Sequence, residues 1–467
     1  MIRDYNSDEI LRLFRKTLGD NTSIMPHLPS LTGRAAFSCS SHFRFHVWAF
    51  SLLLYCATVC PAAPPLTGAA DPQLEVFDKL LTSFVGGHKI PGAALAVSYR
   101  GKLVYARGCG YADVAKREEV QPNSLFRSAS LTKPITAVAV LKLMEQGKLK
   151  LEDPILNHLS DVVPGAQRKN HPWSKITIQH CLQHTAGWDS KAKFDPMFRS
   201  IMIADALKVP TPPTSLQIIR FMASKRPDFT PGERYAYSNF GYVVLGRVIE
   251  QASGQSYEEY VQEQIFKPLG IKSARLAKTR LKDRAPQEVR YYDGTKKARN
   301  VFSQNPADVT LMPYGTWSIE AMDSNGGWLL SAADLARFMC GLDLSSKQPL
   351  IQPETRQLLL RSRPSGPAGF EANGKPKSDF YGFGWRIQHG KTPDQAHYWH
   401  ESSFDGISGL MIHRDDEVNW VILINTTELV KGKLPAEEID QLLHDAMNSV
   451  KVWPEKDLFS TIDQLNP

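Results

Sequence analysis

Apolar residues recur at close to the helical period of 3.6 in four segments of the chain. The segments are Leu74–Val85, Ser130–Glu145, Tyr242–Ala252 and about Ala436–Met447. Gly147 stands just past the second segment, at a position where glycine commonly follows the end of a helix. The pattern predicts a helix in each of the four segments.

Runs of strand-forming residues lie toward both ends of the chain. From Ala93 onward two such runs flank Arg100-Gly101, which predicts a hairpin. Further strands are predicted at Phe383–Ile387, Gly409–His413 and Trp420–Ile424. Residues 150 to 320 carry helical patterns and loops punctuated by proline. We therefore predict an α+β fold, in which one antiparallel sheet from N- and C-terminal strands is flanked by helices and a mainly helical region is inserted at about 150–320.

The longest apolar stretch, Val47–Val59, is too short to span a bilayer as a helix but suits the apolar core of a signal peptide. Ala62 and Ala63 supply small residues for cleavage, and Met25 is a plausible true start because 46 residues precede the stretch. The alternative is a short core helix in an N-terminal extension. We predict an exported protein, periplasmic or secreted, with a leader at 1–70, one domain at 71–450 and a tail at 451–467.

The charge and the cysteine content of the chain argue against several kinds of partner and site. The 467 residues carry a formal charge of +7, without a run of five or six basic residues or interleaved aromatics, so a nucleic-acid partner is not expected. The six cysteines show no CxxC spacing, which disfavours a zinc ribbon or a redox motif. Cleavage near Ala63 would leave Cys109, Cys181 and Cys340, an odd number that excludes a dense disulfide framework.

The sharpest chemical feature is Ser130-Leu131-Thr132-Lys133, at the start of an apolar helix. Positions i and i+3 share one face of a helix, so Ser130 Oγ and Lys133 Nζ can meet. The positive end of the helix dipole opposes the ammonium form of Lys133 and favours negative charge on the serine oxygen. A second copy, Ser190 to Lys193, is set aside because its neighbours are polar and Pro196 soon follows.

A second element, Tyr237-Ser238-Asn239, is predicted to lie on a loop between helices, since Pro231-Gly232 marks a turn and an apolar helix begins after Gly241. Alternate residues of an extended loop point the same way, which brings the phenol and the amide into one space. A phenol beside a lysine can shuttle a proton, and an amide can hold a substrate carbonyl. The structural alternative is a packed tyrosine with asparagine as a helix cap.

The third element is the segment from Tyr398 to Ser403, which leads into the strand at Gly409. An edge strand near the nucleophile can donate a backbone N–H to an oxyanion, with the Ser130 N–H as the second donor. Taken alone, His400 is more typical of a structural histidine than of one that binds a ligand.

Together these elements resemble the signatures of the serine β-lactamase and penicillin-recognising superfamily, specifically the class C β-lactamase-like group with its D-alanyl-D-alanine peptidases and esterases. The similarity runs from about Leu74 to Val450 and covers SxxK, YxN and a K/H-T/S-G strand. Supporting phrases are similar too: Ile176 to Ile178, His184 to Gly187, Pro231-Gly232, Pro268 to Ile271, Gly326-Gly327 and Ser331 to Leu335. The resemblance implies a β-lactamase/transpeptidase-like fold.

The same resemblance implies the roles of individual residues. Ser130 would be acylated, Lys133 and Tyr237 would form the general-base pair, and Asn239 would orient the substrate. Backbone N–H groups of Ser130 and Ser403 would form the oxyanion hole, and His400 and Ser402 would lie beside the substrate. The His184 phrase is interpreted as a structural loop. The resemblance implies no cofactor and no metal.

The third signature departs from the family pattern. Ser402 stands where glycine is usual and should crowd the substrate modestly, while Glu401 stands where a small hydroxyl residue is usual. The negative charge of Glu401 should disfavour substrates that carry a carboxylate, and His400 is a weaker cation than lysine. These changes argue against β-lactam hydrolysis and leave the acylation machinery intact.

Three functions follow from these residues. The first is a serine hydrolase of esterase or peptidase type, acting on a small ester, amide or peptide. The second is a β-lactamase or D-alanyl-D-alanine carboxypeptidase, and the third is a non-catalytic binding protein on the same fold. The substrate pocket is expected to be walled by residues 189–229 and by the segment around Trp317 and Trp328. The substrate and the oligomeric state stay open.

Overall fold

Strands from the two ends of the chain build the central sheet, as predicted. The computed structural model describes residues 63–392 and 395–465. The strands of this sheet, named in chain order together with five short ones, are β1 (Leu66–Thr67), β2 (Gly92–Tyr99), β3 (Lys102–Asp113), β4 (Glu118–Glu119), β5 (Phe126–Arg127), β6 (Arg275–Leu276), β7 (Lys297–Arg299), β8 (Val309–Leu311), β9 (Trp328–Leu330), β10 (Asp379–Tyr381), β11 (Arg386–His389), β12 (Ala396–Phe404), β13 (Ile407–His413) and β14 (Val418–Ile424). The main sheet has the order β1-β3-β2-β14-β13-β12-β11-β10, and β4 pairs with β3.

The sheet joins the N-terminal hairpin to the C-terminal strands through β2 and β14, where Leu95 lies opposite Ile422. Its neighbouring strands are antiparallel. The residues of β14 are buried throughout, which is the pattern of a strand covered on both faces. This pairing of distant segments confirms the α+β architecture.

Helices cover both faces of the sheet. They are α1 (Glu75–Gly87), α2 (Thr132–Glu145), α3 (Ile178–Leu182), α4 (Ser200–Leu207), α5 (Ser215–Ala223), α6 (Asn239–Ser253), α7 (Tyr257–Val261), α8 (Asp323–Gly326), α9 (Ala332–Cys340), α10 (Pro353–Leu360), α11 (Pro435–Ser449) and α12 (Phe459–Leu465). On one face α1 and α11 form an apolar cluster with β14, in which Phe77 and Leu443 pack with Trp420. The larger core lies on the other face and includes α2 and α9.

Helix α2 is buried on almost every side, and this burial matters for the site. From Thr132 to Leu141 every residue is buried, including the polar Lys133 and Thr136. A helix that is apolar all round belongs inside a core, so a polar side chain on it must find partners there. Pro134 is compatible with the first helical turn, where a missing N–H costs no hydrogen bond.

The inserted region is mainly helical, as predicted, with the short strands β6, β7 and β8 in addition. The C-terminal tail is more ordered than the term implies, because Leu458 and Ile462 join the larger core and Asp463 pairs with Arg337 at 2.6 Å. The predicted signal peptide, its start and its cleavage region lie outside the described residues or at their edge. Within the described residues no helix has the length and apolar character needed to cross a membrane, and Cys109, Cys181 and Cys340 are free and buried.

Candidate active site

Ser130 lies in a tight turn between a short strand and the central helix. Strand β5 pairs with β9, a single 3₁₀ turn covers Ala129–Leu131, and α2 begins at Thr132. Ala129 has φ +46°, in the left-handed region that residues with a side chain rarely adopt. Such backbone conformations concentrate at functional sites. Ser130 itself is 8% exposed and lines a cavity, so its hydroxyl is within reach of a small molecule.

Lys133 is completely buried beside Ser130. Its Nζ lies 3.1 Å from Ser130 Oγ, 2.8 Å from Asn239 Oδ1 and 2.9 Å from the backbone oxygen of Asn325. Burial lowers the pKa of Lys133 to about 7, while the charge of Asp195 opposes that shift. An amine with this pKa is largely neutral in mildly alkaline solution and can accept a proton.

The backbone oxygen of Asn325 reaches Lys133 because the short helix α8 approaches β12 closely. A Cβ at Gly326 would lie 2.5 Å from the ring of Phe404, so this approach requires glycine. Asn325 was not among the residues predicted for the site. Its contribution comes from a main-chain carbonyl, which the sequence does not mark by residue type.

Tyr237 donates a hydrogen bond from its hydroxyl to Ser130 Oγ at 2.9 Å. Burial raises the pKa of this phenol well above its usual value of 10, so it stays protonated near neutral pH. The ring stands against His184, whose Nδ1 accepts the Ser238 N–H at 3.2 Å. Burial and the nearby Lys133 hold the pKa of His184 well below its usual range, which fits a neutral histidine that supports the loop.

Asn239 is the first residue of α6, with Ser238 as the N-cap that accepts the Gly241 N–H. Its Oδ1 accepts from Lys133 and its Nδ2 donates to Asp195 Oδ2 at 2.7 Å. Asp195 is a site residue that the sequence reasoning missed. An aspartate directly before Pro196 is a signal for a helix N-cap. That local signal does not reveal the contact of Asp195 with Asn239, which lies 44 residues further along the chain.

Strand β12 carries the residues of the third signature, and its alternation separates them. His400 and Ser402 are buried, whereas Glu401 and Ser403 are exposed. Because a carbonyl only accepts, His400 Nδ1 donates to the Glu401 oxygen at 2.6 Å, and Nε2 accepts from Tyr381 at 2.9 Å. Burial, with Lys133 nearby, lowers the pKa of His400 to about 3. His400 is therefore neutral and both ring nitrogens are engaged.

Two cavities lie side by side at the site, and Tyr237 and Glu401 line both of them. The first, of about 360 Å³, is lined by Ser130, Ser402 and Ser403 together with the carboxylates of Glu401, Glu437 and Asp440. The second, of about 460 Å³, is lined by Tyr237, Tyr381 and His400 and by the cations Lys191, Arg234 and Arg386, along with Asp189 and Glu401. Burial and the charge of Glu401 raise the pKa of Asp440 to about 6. The cavity that contains Ser130 is thus the more acidic one.

Part of the expected pocket wall is wrong. Asp189 and Lys191 do line the second cavity, as predicted for residues 189–229. Trp317 and Trp328, in contrast, are 2% and 0% exposed and belong to the core. Trp328 packs edge-on against Phe266 and donates from Nε1 to the Tyr257 hydroxyl. Large aromatic residues suit a core as well as a pocket, and here the core has them.

No metal-binding arrangement of three or more His, Cys, Asp or Glu side chains occurs within residues 63–392 and 395–465.

Comparison with known proteins identifies the family of the chain. Residues 77–444 match the family model described as Beta-lactamase. Penicillin-binding protein 4* of Bacillus subtilis is 29% identical over 348 residues, 73% of this chain and 69% of that protein. Esterase EstB of Burkholderia gladioli is 28% identical over 320 residues, 66% of this chain and 77% of that protein.

Solved structures show the same fold. EstCE1, described as a hydrolase with promiscuous acyltransferase activity, aligns with a TM-score of 0.61 at 19% identity over 80% of this chain and 98% of its own. The octameric penicillin-binding protein homologue from Pyrococcus abyssi aligns with a TM-score of 0.58 at 24% identity over 80% and 77%. Because the family model spans more than half of the residues, the chain belongs to the β-lactamase family of serine hydrolases, which confirms the resemblance seen in the sequence.

Proposed function

We propose that the protein hydrolyses small esters, amides or peptides through an acyl-enzyme on Ser130, as an esterase or peptidase. The observation that carries this proposal is the hydrogen-bond network in which Lys133 and Tyr237 both reach Ser130 Oγ. A non-catalytic binding protein has no need to keep a lysine buried beside a serine, since burying an amine costs free energy.

The three neighbours of Lys133 give it the role of base. A neutral amine has two hydrogens and one lone pair. The oxygens of Asn239 and Asn325 can only accept, so both hydrogens are donated to them and the lone pair faces Ser130. As Ser130 Oγ bonds to the substrate carbonyl carbon, its proton passes to Lys133.

Tyr237 serves the second half of the reaction. Its protonated phenol is 2.9 Å from Ser130 Oγ and can give its proton to the leaving group as the carbonyl–leaving group bond breaks. The proton that Lys133 holds then restores the phenol. Water reverses the sequence, releasing the acid product and the Ser130 hydroxyl, so protons and bonds balance over one turnover.

The remaining predicted residues position the substrate in this proposal. Asn239 orients the acyl group, and the backbone N–H groups of Ser130 and Ser403 hold the oxyanion, the role such donors fill in acyl transfer. His400 contributes a neutral wall, since both of its nitrogens are engaged. Ser402 is 4% exposed and lines the cavity of Ser130, which it narrows at a position where glycine is usual in the family.

Charge around Ser130 argues for substrates without a carboxylate. Glu401, Glu437 and Asp440 line its cavity, and each would repel an anion that enters it. β-Lactams and peptide C-termini carry such an anion, so we rank the β-lactamase and D-alanyl-D-alanine carboxypeptidase functions below the esterase. Acylation by a fluorescent penicillin at rates matching simple esters would reverse that ranking.

The proposal is tested by labelling the nucleophile. A fluorophosphonate probe should add to the parent protein, and the adduct should map to Ser130 by mass spectrometry. Ser130→Ala should lose both the adduct and the hydrolysis of p-nitrophenyl butyrate. Ser190→Ala, in the second SxxK copy, should still be labelled. If Ser130→Ala hydrolyses the ester as fast as the parent, the proposed mechanism is wrong.

Substrate charge is tested with two esters of similar size. We expect Glu401→Gln to raise kcat/KM for p-nitrophenyl hemisuccinate relative to p-nitrophenyl butyrate by roughly threefold to tenfold, because it removes one repulsive charge from a partly solvated cavity. Glu371→Gln, an exposed site outside both cavities, serves as the control. An unchanged ratio would show that Glu401 does not select substrates.

We also propose that the protein is exported, periplasmic or secreted, on the basis of the apolar stretch Val47–Val59. The expected result is mature protein outside the cytoplasm with an N-terminus near Ala63, as read by N-terminal sequencing. Protein that keeps residues 47–59 and stays in the cytoplasm would support the alternative of a core helix in an extension.

A further inference from the structure

Asp195 reaches the candidate site from the inserted region, and its side chain accepts hydrogen bonds from Asn239 and Met197. We propose that Asp195 is a positioning residue, whose carboxylate holds the Asn239 amide with its oxygen toward Lys133. This inference rests on the proposed function, because it assigns a purpose to Asp195 within the Ser130 mechanism.

The reasoning starts from the two ends of an amide. The oxygen and nitrogen of Asn239 have nearly the same shape, so either end fits beside Lys133. Were the nitrogen to face Lys133, its hydrogens would oppose those of the amine and the lysine lone pair would lose its direction. Some second group must therefore select the orientation.

Asp195 makes that selection because a carboxylate can only accept. Asp195 Oδ2 lies 2.7 Å from Asn239 Nδ2. The other end of the amide, Asn239 Oδ1, therefore faces Lys133 Nζ at 2.8 Å. The other carboxylate oxygen accepts the Met197 N–H at 3.0 Å, as the N-cap of the turn Pro196–Phe198. Both oxygens are thus engaged, and the side chain is held in place from two directions.

The charge of Asp195 also acts on the lysine. It favours the ammonium form and opposes the burial that lowers the pKa of Lys133. Burial raises the pKa of Asp195 itself, against the hydrogen bonds from Asn239 and Met197 and the charges of Lys133 and Arg199. Removing the negative charge should therefore move the Lys133 titration to lower pH.

Two substitutions separate geometry from charge. Asp195→Asn keeps an acceptor oxygen but loses the charge, and we expect the acidic limb of kcat/KM for p-nitrophenyl butyrate to move down by about 0.5 pH unit or more. Asp195→Ala loses both, and we expect kcat/KM at the pH optimum to fall about 10- to 100-fold, as misplaced groups typically cost. Asp205→Asn, an exposed carboxylate on α4, should keep the parent values.

The rate of fluorophosphonate labelling, followed from pH 5 to 9, gives a second readout of the same limb. If the parent is not labelled on Ser130, the proposed function fails. If it is labelled but both Asp195 variants keep its limb and its kcat/KM, the positioning role is overturned and Asp195 is a helix cap. Should Asp195→Ala not fold, the limb of the nearly isosteric Asp195→Asn decides.

Discussion

The chain contains two copies of the SxxK pattern, and the structure places them in opposite surroundings. Lys133 is fully buried in the central helix with three partners, one of which is Ser130 Oγ. The Lys193 side chain is 63% exposed and pairs with Asp228 at 2.6 Å, while Ser190 donates to the backbone oxygen of Tyr237. The SxxK spacing alone therefore does not determine the surroundings of its lysine. Burial lowers the affinity of the amine for a proton, and fixed acceptors direct its lone pair.

The largest difference between the two copies is expected when each lysine is replaced by methionine in a separate variant. Lys133→Met should lower kcat/KM for p-nitrophenyl butyrate by about 10²- to 10⁴-fold, because it removes the proposed base and keeps a similar side-chain volume. Lys193→Met should change kcat/KM by less than about threefold, because the lysine end of its ion pair with Asp228 is exposed to solvent. Equal losses in the two variants would contradict the distinction between the copies.

The surroundings that separate the copies could be predicted only in part. The apolar run from Ile135 to Leu143 identifies α2 as a core helix, which is why the first copy was preferred. Strands at both ends of the chain also predict one shared sheet, in which the structure pairs β2 with β14. The helix and the strands each follow a period along the sequence, so a local pattern reveals them.

What could not be predicted depends on contacts between segments without a period. Asp195 meets Asn239 from a proline-punctuated loop, and the Asn325 carbonyl carries no side-chain signal. Trp328 was assigned to a pocket wall because its size suits either place, and only tertiary packing puts it between Tyr257 and Phe266. The left-handed backbone conformation of Ala129 could not be predicted either, because alanine is not a residue type that favours a positive φ.

A smaller effect is expected from removing the Tyr237 hydroxyl, which donates to Ser130 Oγ. Ser190 bonds instead to the backbone oxygen of Tyr237. Tyr237→Phe removes the hydrogen bond to Ser130 Oγ, and we expect kcat/KM to fall about 10- to 100-fold through loss of proton delivery to the leaving group. Tyr235→Phe is the matched control, because Tyr235 lines the neighbouring cavity and its change should cost less than about threefold. A loss that appears in KM alone would assign Tyr237 to binding instead.

The smallest effect concerns stability, and it compares the same two lysines without substrate. The folded protein lowers the pKa of Lys133 to about 7, whereas an unfolded chain keeps it near 10.5. Between these values the unfolded state binds more protons, so Lys133 makes the free energy of unfolding rise with pH. From pH 7 to 9 the rise is about 2 kcal/mol, since the slope is about 1.36 kcal/mol per pH unit well above pH 7.

Urea denaturation at pH 7 and pH 9 should show that Lys133→Met loses this increment and Lys193→Met keeps it. If Lys133→Met responds to pH as the parent does, the buried amine is not neutral above pH 7, and Lys133 could not act as the base.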